Sequence, residues 1–254
     1  MPTIDPVGGG PATGRLHTVP ASRRVADATG LGHDGTVELI AHRAGNESRL
    51  IAPALAVADT IELDVHLFRG RLEVRHAKVL WPFAVLWEQW EFVPGAPHPN
   101  LSVILDAAPD DAHLWFDLKG FTSRLPRRLL REVGDRRPIT VSCRSWWTLR
   151  SIRRIAGIRT FRSVGSRWQL WLVQHVRFSN DEDGIVMHER FATAETLARL
   201  HRLTPDIVVW AVHDLDRAAE LHDLGVSGVI ADDLDVLDQV RRRLHDQPGE
   251  AHGD

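Results

Sequence analysis

Apolar and polar residues alternate along the chain with two periods, one typical of β-strands and the other of α-helices. Short runs of period two, or of continuous apolar character, predict strands, because successive side chains of a strand point to opposite faces. Eight such runs lie at residues 37–42, 60–67 with an extension at 72–76, 113–119, 139–143, 158–164, 184–188, 207–213 and 228–232. Helical patterns separate them, so we predict an α/β fold in which one domain forms a (β/α)8 or TIM barrel.

The segments between the strands carry apolar residues at helical spacing, and three of them begin with a residue type that commonly caps a helix. We expect these caps at Ser123, Ser145 and Thr193. They precede Leu125, Leu129 and Val133, then Leu149, Ile152 and Ala156, then Leu197 and Leu200, and Leu237, Val240 and Leu244 continue the pattern. The turn at 43–46 lacks the three-glycine spacing of nucleotide-binding sheets, which favours the barrel over an open doubly wound sheet.

The two ends of the chain differ from the middle in composition. Residues 1–33 are rich in Gly, Pro, Ala and Thr and have no sustained apolar period, so we interpret them as a flexible tail. The barrel then occupies residues 34–246, and residues 247–254 form a loose C-terminus.

The overall composition is that of a globular protein, with 43% hydrophobic and 26% charged residues. A net charge of −3 disfavours a nucleic-acid partner. The single cysteine, Cys143, forms neither an intrachain disulfide nor a thiolate metal site. No apolar run approaches the roughly 18 residues that span a bilayer, and no secretion signal is recognisable. We therefore expect a cytoplasmic protein without a transmembrane segment.

The second predicted strand carries Glu62, Asp64 and His66 in alternation with apolar residues, so these three share one face. Neighbours on one strand face lie about 6.6 Å apart, close enough for two carboxylates to bind one hard cation. A solvated strand face would more often carry Lys, Thr or Ser, so we interpret this face as the buried wall of a site. The alternative is an exposed edge strand. We expect His66 to support the site or the fold rather than to react.

Further polar residues stand at the ends of other strands, and in a barrel the C-terminal ends of the strands form the active site. His42 and Arg43 end the first strand, His76 ends the extension, and Asp117 and Lys119 share a face at the end of the third. Carboxylate oxygens suit Mg²⁺ or Ca²⁺, whereas zinc-type clusters of His and Cys are absent from the sequence. A hard cation beside Arg and Lys suits a phosphate ester, and histidines transfer protons near neutral pH.

These motifs resemble the glycerophosphodiester phosphodiesterases and the related phospholipase D-type toxins, which share one barrel. The resemblance covers roughly residues 37–245 and depends on the order of Ala41-His42-Arg43, Ile61-Glu62-Leu63-Asp64-Val65, Val74-Arg75-His76, Phe116-Asp117-Leu118-Lys119, Val209-Trp210-Ala211-Val212 and the stretch 225–232. It implies metal-dependent hydrolysis of a glycerophosphodiester, or of a lysophospholipid-like phosphodiester, to an alcohol and glycerol phosphate. The implied roles are acid–base catalysis for His42 and His76, metal binding for Glu62, Asp64 and Asp117, and phosphate binding for Arg43 and Lys119.

The chain departs from the family pattern at several positions. Ala44 replaces the glycine of His-Arg-Gly, and Asn46-Glu47-Ser48 replaces a Pro-Glu-Asn-Thr block, which makes Glu47 the candidate for that block's metal-binding acid. Ala77 replaces the aspartate that normally follows the second histidine. Most of these phosphodiesterases have glutamate at the position of Asp117. The sequence Asp117-Leu118-Lys119 looks more like the toxin branch. Two alternatives follow: toxin-like transphosphatidylation giving a cyclic phosphate, and a non-catalytic barrel that binds phosphorylated ligands.

Several aromatic and acidic residues have two interpretations each. Trp210 lines the substrate site, as the resemblance implies, or packs within the barrel. Asp232 caps the final helix or contacts a ligand. The Trp- and Pro-rich segment at about 79–100 lies where the family inserts a cap, and it grips a lipid or alkyl group or packs as a lid. Trp168 and Trp171 either pack in the core or form an exposed face that contacts lipid. Peripheral contact with a membrane is therefore one of the two interpretations.

Overall fold

The structure, a computed structural model, describes residues 37–80, 85–88, 91–92, 98–136, 138–176 and 184–245. The strands are β1 (Glu38–Ala41), β2 (Thr60–Phe68), β3 (Arg71–Val74), β4 (Lys78–Leu80), β5 (Val85–Glu88), β6 (Glu91–Phe92), β7 (His113–Leu118), β8 (Ile139–Cys143), β9 (Ile158–Val164), β10 (Gly184–His188), β11 (Ile207–Trp210) and β12 (Gly228–Ala231). The helices are α1 (Ser48–Leu55), α2 (Leu101–Ala107), α3 (Arg124–Val133), α4 (Trp146–Leu149), α5 (Arg167–His175), α6 (Ala194–Leu200), α7 (Leu215–Asp223) and α8 (Leu234–His245).

Eight parallel strands close into a barrel in the order β1, β2, β7, β8, β9, β10, β11 and β12. Closure occurs at β1, which pairs with both β2 and β12. All eight predicted strands are therefore confirmed, and the fold is a (β/α)8 barrel. The predicted extension forms β3, which pairs antiparallel with β2 and adds a strand outside the closed barrel. The turn between them places Arg69 and Gly70 at positive φ, a conformation that glycine adopts at little cost.

Only part of the predicted cap lies within the described residues. There β4, β5 and β6 form a separate antiparallel sheet of three strands. Residues 81–84, 89–90 and 93–97 of the cap lie outside the described ranges, as do the predicted tail at 1–33 and the C-terminus at 247–254. Within those ranges, no helix is both long enough and apolar enough to cross a lipid bilayer.

The predicted helix caps have mixed outcomes. Thr193 caps α6 as expected, because its side chain accepts a hydrogen bond from the backbone N–H of Thr196. Ser123 and Ser145 precede α3 and α4, but neither side chain makes a capping hydrogen bond. The helix expected to reach position 156 ends at Leu149, because the chain continues in turns that lead directly into β9.

The interior of the barrel is apolar across its middle. Inward-facing side chains from six strands form this layer: Ile40, Trp115, Phe161, Val186, Val208 and Ile230. The rings of Trp115 and Phe161 lie 4.6 Å apart between centroids. A Cβ atom at Gly184 would lie 2.3 Å from the Phe161 ring, so a residue without a side chain is needed there. This layer separates two polar regions at the opposite ends of the barrel.

The N-terminal end of the barrel contains a buried hydrogen-bond network around Glu38. Thr60 Oγ1 donates to Glu38 Oε1 at 2.6 Å, and an Arg159 guanidinium nitrogen donates to Glu38 Oε2 at 3.0 Å. The His113 ring nitrogens Nδ1 and Nε2 each lie 3.0 Å from a threonine hydroxyl, of Thr60 and Thr140 respectively. Thr60 donates its one hydroxyl proton to Glu38. Its Oγ1 atom must therefore accept a hydrogen bond from His113 Nδ1–H. If the His113 ring is neutral, its Nε2 then accepts from Thr140.

This network makes folding stability depend on pH. Burial, together with the charge of Arg159, lowers the pKa of His113 below its ordinary value of 6.5 despite the nearby Glu38. Below pH 6.5 the unfolded chain therefore binds a proton that the folded chain excludes, and stability falls as the pH falls towards the folded-state pKa. We expect His113→Gln to reduce this slope by about 1.4 kcal/mol per pH unit, the value for one proton.

Urea unfolding between pH 5 and 7.5 would measure that slope in both proteins. His98→Gln makes the same exchange at an exposed position and serves as the matched control for the exchange itself. An identical slope in His113→Gln and in the original protein would contradict the assignment of a neutral, buried His113.

Candidate active site

The turn that follows β1 brings backbone and side-chain groups against β2. Arg43 has a left-handed backbone conformation, with φ of 53°, and its backbone N–H donates to Glu62 Oε2 at 2.7 Å. The Asn46 side chain makes two hydrogen bonds to Asp64: its amide donates to Oδ2 at 3.0 Å, and its oxygen accepts from the backbone N–H at 2.9 Å. A Cβ atom at Gly45 would lie 2.8 Å from a β2 side chain, so this close approach requires glycine. The turn thereby orients both acids of β2.

Three carboxylates converge at the C-terminal end of the barrel. Ligand oxygens of Glu62, Asp64 and Asp117 all lie within 4.8 Å of one another. The parallel pairing of β2 with β7 places Asp64 directly beside Asp117. Burial and the charge of Asp64 raise the pKa of Glu62 to about 7. Burial also acts to raise the pKa of Asp64, but the charge and hydrogen bond of Lys119 outweigh it and lower that pKa to about 2.

The Lys119 ammonium lies among these acids. Its Nζ is 2.7 Å from Asp64 Oδ1, and it donates a hydrogen bond to Asp117 Oδ2. Although burial opposes its charge, the nearby carboxylates raise the pKa of Lys119, so the side chain stays protonated. Ser142 Oγ donates to Asp117 Oδ1 at 2.8 Å and itself accepts from Trp115 Nε1 at 2.9 Å. Sequence reasoning missed Ser142, although the period of two in β8 places it on the interior face.

The acidic cluster fits a hard divalent cation. Mg²⁺ and Ca²⁺ bind oxygen atoms at about 2.0–2.6 Å, so two ligands of one ion lie at most about 5 Å apart. The oxygens of Glu62, Asp64 and Asp117 satisfy that limit, and they carry more negative charge than Lys119 alone neutralises. The structure does not bring Glu47 to this cluster. Its carboxylate instead lies 2.7 Å from Nε of Arg49.

The two histidines have different hydrogen-bond partners. His42 Nδ1 lies 2.6 Å from Asp232 Oδ1. Burial lowers the pKa of His42, but the hydrogen bond to Asp232 and the charge of Glu62 outweigh burial, so the pKa is raised. His76 Nε2 lies 2.7 Å from a guanidinium nitrogen of Arg43. Because a guanidinium only donates, His76 Nε2 must be unprotonated in this arrangement.

Asp232 does not cap the final helix, and its contact with a ligand stays a prediction. The neighbouring Asp233 caps the first turn of α8, since its Oδ1 accepts from the Asp235 backbone N–H at 2.9 Å. Asp232 instead faces His42, because the register that pairs Ala41 with Ala231 brings the ends of β1 and β12 together. In the sequence, the only indication of the His42–Asp232 pair was that each residue stands at the end of a predicted strand.

A cavity of about 90 Å³ opens among these groups and is lined by both histidines, Arg43, Glu62, Asp117 and Lys119. That volume holds several water molecules, so the cavity is large enough for a small polar group. Trp210 lines the cavity and also packs on the apolar layer of the barrel. Sequence reasoning missed Arg144 and Ser163, which also line it. The guanidinium carbon of Arg144 lies 6.0 Å from the centroid of the Trp210 ring.

His66 lies beside the acids but outside this cavity lining. Its Nε2 is buried and has no hydrogen-bond partner among the described residues. Burial and the charge of Arg75 lower the pKa of His66 to about 3, so its ring is neutral near neutral pH. Because the His66 ring is neutral, it does not change the net charge of the acidic cluster.

No protein-family model matches the sequence, and no curated protein matches it significantly. Solved structures of similar fold include a glycerophosphodiester phosphodiesterase from Thermotoga maritima, with 16% identity, a TM-score of 0.64, and coverage of 82% of this chain and 98% of that one. A putative glycerophosphoryl diester phosphodiesterase from Silicibacter pomeroyi has 17% identity and a TM-score of 0.65, with coverage of 85% and 96%. An Oleispira antarctica phosphodiesterase in complex with the product sn-glycerol-3-phosphate has 15% identity and a TM-score of 0.62, with coverage of 82% and 96%.

At these identities the likeness establishes the barrel fold. Two of these neighbours are described as glycerophosphodiester or glycerophosphoryl diester phosphodiesterases, the family that the sequence motifs resemble.

The acidic cluster predicts cation binding that depends on Glu62 and not on Glu47. Glu62→Gln removes a charged oxygen, so we expect the affinity for Mg²⁺ or Ca²⁺ to fall by more than the roughly 10- to 100-fold typical of outer-sphere changes. Glu47→Gln is the matched control and should bind normally. Titration calorimetry would measure both. Unchanged affinity in Glu62→Gln would remove it from the metal site, and an equal loss in Glu47→Gln would add Glu47 to it.

Proposed function

We propose that this chain is a metal-dependent phosphodiesterase that hydrolyses a glycerophosphodiester, or a lysophospholipid-like phosphodiester, to an alcohol and glycerol phosphate. The observation that carries the proposal is a cluster of three carboxylates beside one cavity. Two of these acids, both histidines and three cationic side chains line that cavity. The Oleispira antarctica neighbour, which holds sn-glycerol-3-phosphate, supports the substrate class.

Arg43 and Lys119 are the groups that we assign to the phosphate. Both line the cavity, and both lie beside the acids, Lys119 at 2.7 Å and the Arg43 Nε at 3.8 Å from Asp64. Glu62, Asp64 and Asp117 would hold the divalent cation, Mg²⁺ or Ca²⁺, which supplies Lewis-acid stabilisation of the phosphate oxygens when bound. The two cationic side chains orient the ester and neutralise the charge that develops on it.

His42 and His76 are suited to opposite proton transfers. The raised pKa of His42 keeps a proton available near neutral pH, so His42 serves as the general acid that protonates the leaving oxygen as its bond to phosphorus breaks. The lone pair of His76 Nε2 accepts from Arg43 in the structure, so His76 serves as the base once Arg43 turns to the phosphate. His76 then takes the proton of the attacking hydroxyl as the new bond forms. One group that gives a proton and one that takes a proton are the usual basis of acid–base catalysis at one pH.

The attacking hydroxyl distinguishes hydrolysis from its nearest alternative. Water gives glycerol phosphate, whereas a neighbouring hydroxyl of the substrate gives a cyclic phosphate and corresponds to toxin-like transphosphatidylation. The Asp117-Leu118-Lys119 motif, whose acid and ammonium form an ion pair, favours this second candidate because it matches the toxin branch. The same acid and base serve both reactions.

Product analysis by phosphorus NMR separates these candidates. We would incubate the protein with a panel of glycerophosphodiesters and lysophospholipids, with Mg²⁺ or Ca²⁺ and with EDTA. Metal-dependent appearance of glycerol phosphate supports hydrolysis, and accumulation of a cyclic phosphate supports transphosphatidylation. Binding of these ligands without turnover, at metal saturation, would replace both with a non-catalytic phospho-ligand-binding barrel.

The His42–Asp232 pair predicts both a loss of rate and a shift of the pH profile. His42→Ala should reduce turnover by roughly 10²–10⁴-fold, as is usual for a general acid. Asp232→Asn retains the His42 ring but removes the contact that raises its pKa, so the limb of the pH–rate profile that reports His42 should move to lower pH.

The pH dependence of kcat/KM in the Asp232→Asn variant is the measurement that separates positioning from general destabilisation. Asp233→Asn, which affects the neighbouring cap of α8, serves as the control and should leave that limb in place. A rate loss in Asp232→Asn with an unmoved limb would show that Asp232 does not act through His42.

Lys119 predicts a different pattern, because it neutralises acids as well as facing the cavity. Without a divalent cation, Lys119→Met should lower the melting temperature, since Asp64 and Asp117 lose their counter-charge. Saturating Mg²⁺ should restore the melting temperature, but turnover should stay depressed. The lost charge-assisted contact to phosphate is worth roughly 1.5–3 kcal/mol, which corresponds to about 10-fold or more.

Melting temperature and turnover per folded molecule, measured on one preparation, test this pattern. Lys119→Arg keeps the charge and should retain stability. A low melting temperature at metal saturation, combined with nearly normal turnover, would show that Lys119 serves the barrel and not the phosphate.

A further inference from the structure

Four large aromatic side chains are exposed near the candidate active site. Phe121 is 91% exposed, Trp147 71%, Trp168 64% and Trp171 46%. They lie in the loops and first helical turns that follow β7, β8 and β9. The C-terminal ends of these parallel strands form the same end of the barrel as the acidic cluster. One sector of the mouth is therefore lined by exposed aromatic rings.

Two of these rings form a continuous apolar face on α5. Trp168 and Trp171 stack with centroids 4.9 Å apart and an angle of 14° between their planes. Trp171 in turn stacks on His175 at 5.0 Å, so the face extends for two turns of the helix. Exposed apolar surface of this kind usually marks an interaction site, and tryptophan is the side chain most enriched where water meets lipid.

The same sector is strongly basic. The loops and first turns at 120–124, 144–150 and 165–171 contain Arg124, Arg144, Arg150 and Arg167 and no Asp or Glu. Of these arginines, Arg150 and Arg167 are exposed, although the whole chain has a net charge of −3. The guanidinium of Arg150 lies 5.4 Å from the Trp147 ring centroid. Positive charge and aromatic rings thus occur on one surface.

We propose that this surface docks on an anionic lipid bilayer, with the mouth of the barrel facing the membrane. We define it as the aromatic–arginine rim, formed by Phe121, Trp147, Arg150, Arg167, Trp168 and Trp171. The aromatic rings enter the headgroup region, and the arginines bind anionic lipids. Charge complementarity favours this occupant over a second copy of the chain, because a symmetric contact would bring like-charged arginines together.

Arg144 connects the rim to the candidate active site. It lies at the end of β8, between the rim loops and the cavity, which it lines together with Trp210. A phosphodiester in a lipid headgroup would therefore reach the cavity from the docked surface. This consequence, unlike the docking itself, depends on the proposed function.

Co-sedimentation of the full-length chain with vesicles tests the docking without any turnover. We expect binding to vesicles of phosphatidylcholine with phosphatidylglycerol, and little binding to phosphatidylcholine alone. High salt should weaken the binding, because it screens the arginine charges. Trp168→Ala with Trp171→Ala should weaken binding by about tenfold or more, since it removes the stacked aromatic face.

The matched control lies at the opposite end of the barrel. Arg202→Gln with Leu203→Ala changes an exposed arginine and an exposed apolar residue in the turn that precedes β11, so vesicle binding should not change. Melting temperatures of all variants would verify that they fold. Arg150→Gln with Arg167→Gln should reduce binding and its salt dependence together.

Three results would overturn the proposal. They are absence of binding to anionic vesicles, equal binding to both kinds of vesicle, and self-association by light scattering that disappears in the double tryptophan variant. The last result would assign the rim to a second copy of the chain. His42→Ala should still bind vesicles, because docking does not use the catalytic groups. If the unaltered protein binds anionic vesicles but hydrolyses none of the phosphodiesters, the proposed function is contradicted and the docking stands.

Discussion

The burial of three carboxylates within 4.8 Å of one another is the interaction on which the rest of the site depends. Removing even one carboxylate from water costs several kcal/mol unless compensating charges and hydrogen bonds are present. Here the compensation comes from Lys119, from the backbone N–H of Arg43 and from the side chains of Asn46 and Ser142. The raised pKa of Glu62 shows that this compensation is incomplete, which is the electrostatic basis for a cation site.

The barrel supplies that compensation through its register. Parallel pairing of β2 with β7 sets Asp64 beside Asp117, and pairing of β1 with β12 brings His42 to Asp232. Beneath the site, the apolar layer around Phe161 closes the interior and separates the acids from the network of Glu38.

Charge is distributed unevenly between the acidic cluster and the mouth of the barrel. The floor of the site is acidic, whereas the sector of the mouth after β7, β8 and β9 carries arginines and exposed tryptophans. Arg144, Arg43 and Lys119 also line the cavity, together with Glu62 and Asp117. Positive charge on the rim and in the cavity lining attracts an anionic ligand such as a phosphodiester. The proposed phosphodiesterase activity and the proposed membrane docking both use this positive charge.

The alternation of polar and apolar residues was sufficient to predict the eight strands, the barrel, and the shared face of Glu62 and Asp64, because a strand's side-chain period is local. It did not identify the partners of those residues. His42 and Asp232 are 190 positions apart, and Asn46 rather than Glu47 meets Asp64 because of a left-handed turn at Arg43. Local pattern determines the face to which a side chain points, whereas register, turn geometry and barrel closure determine which side chain it meets there.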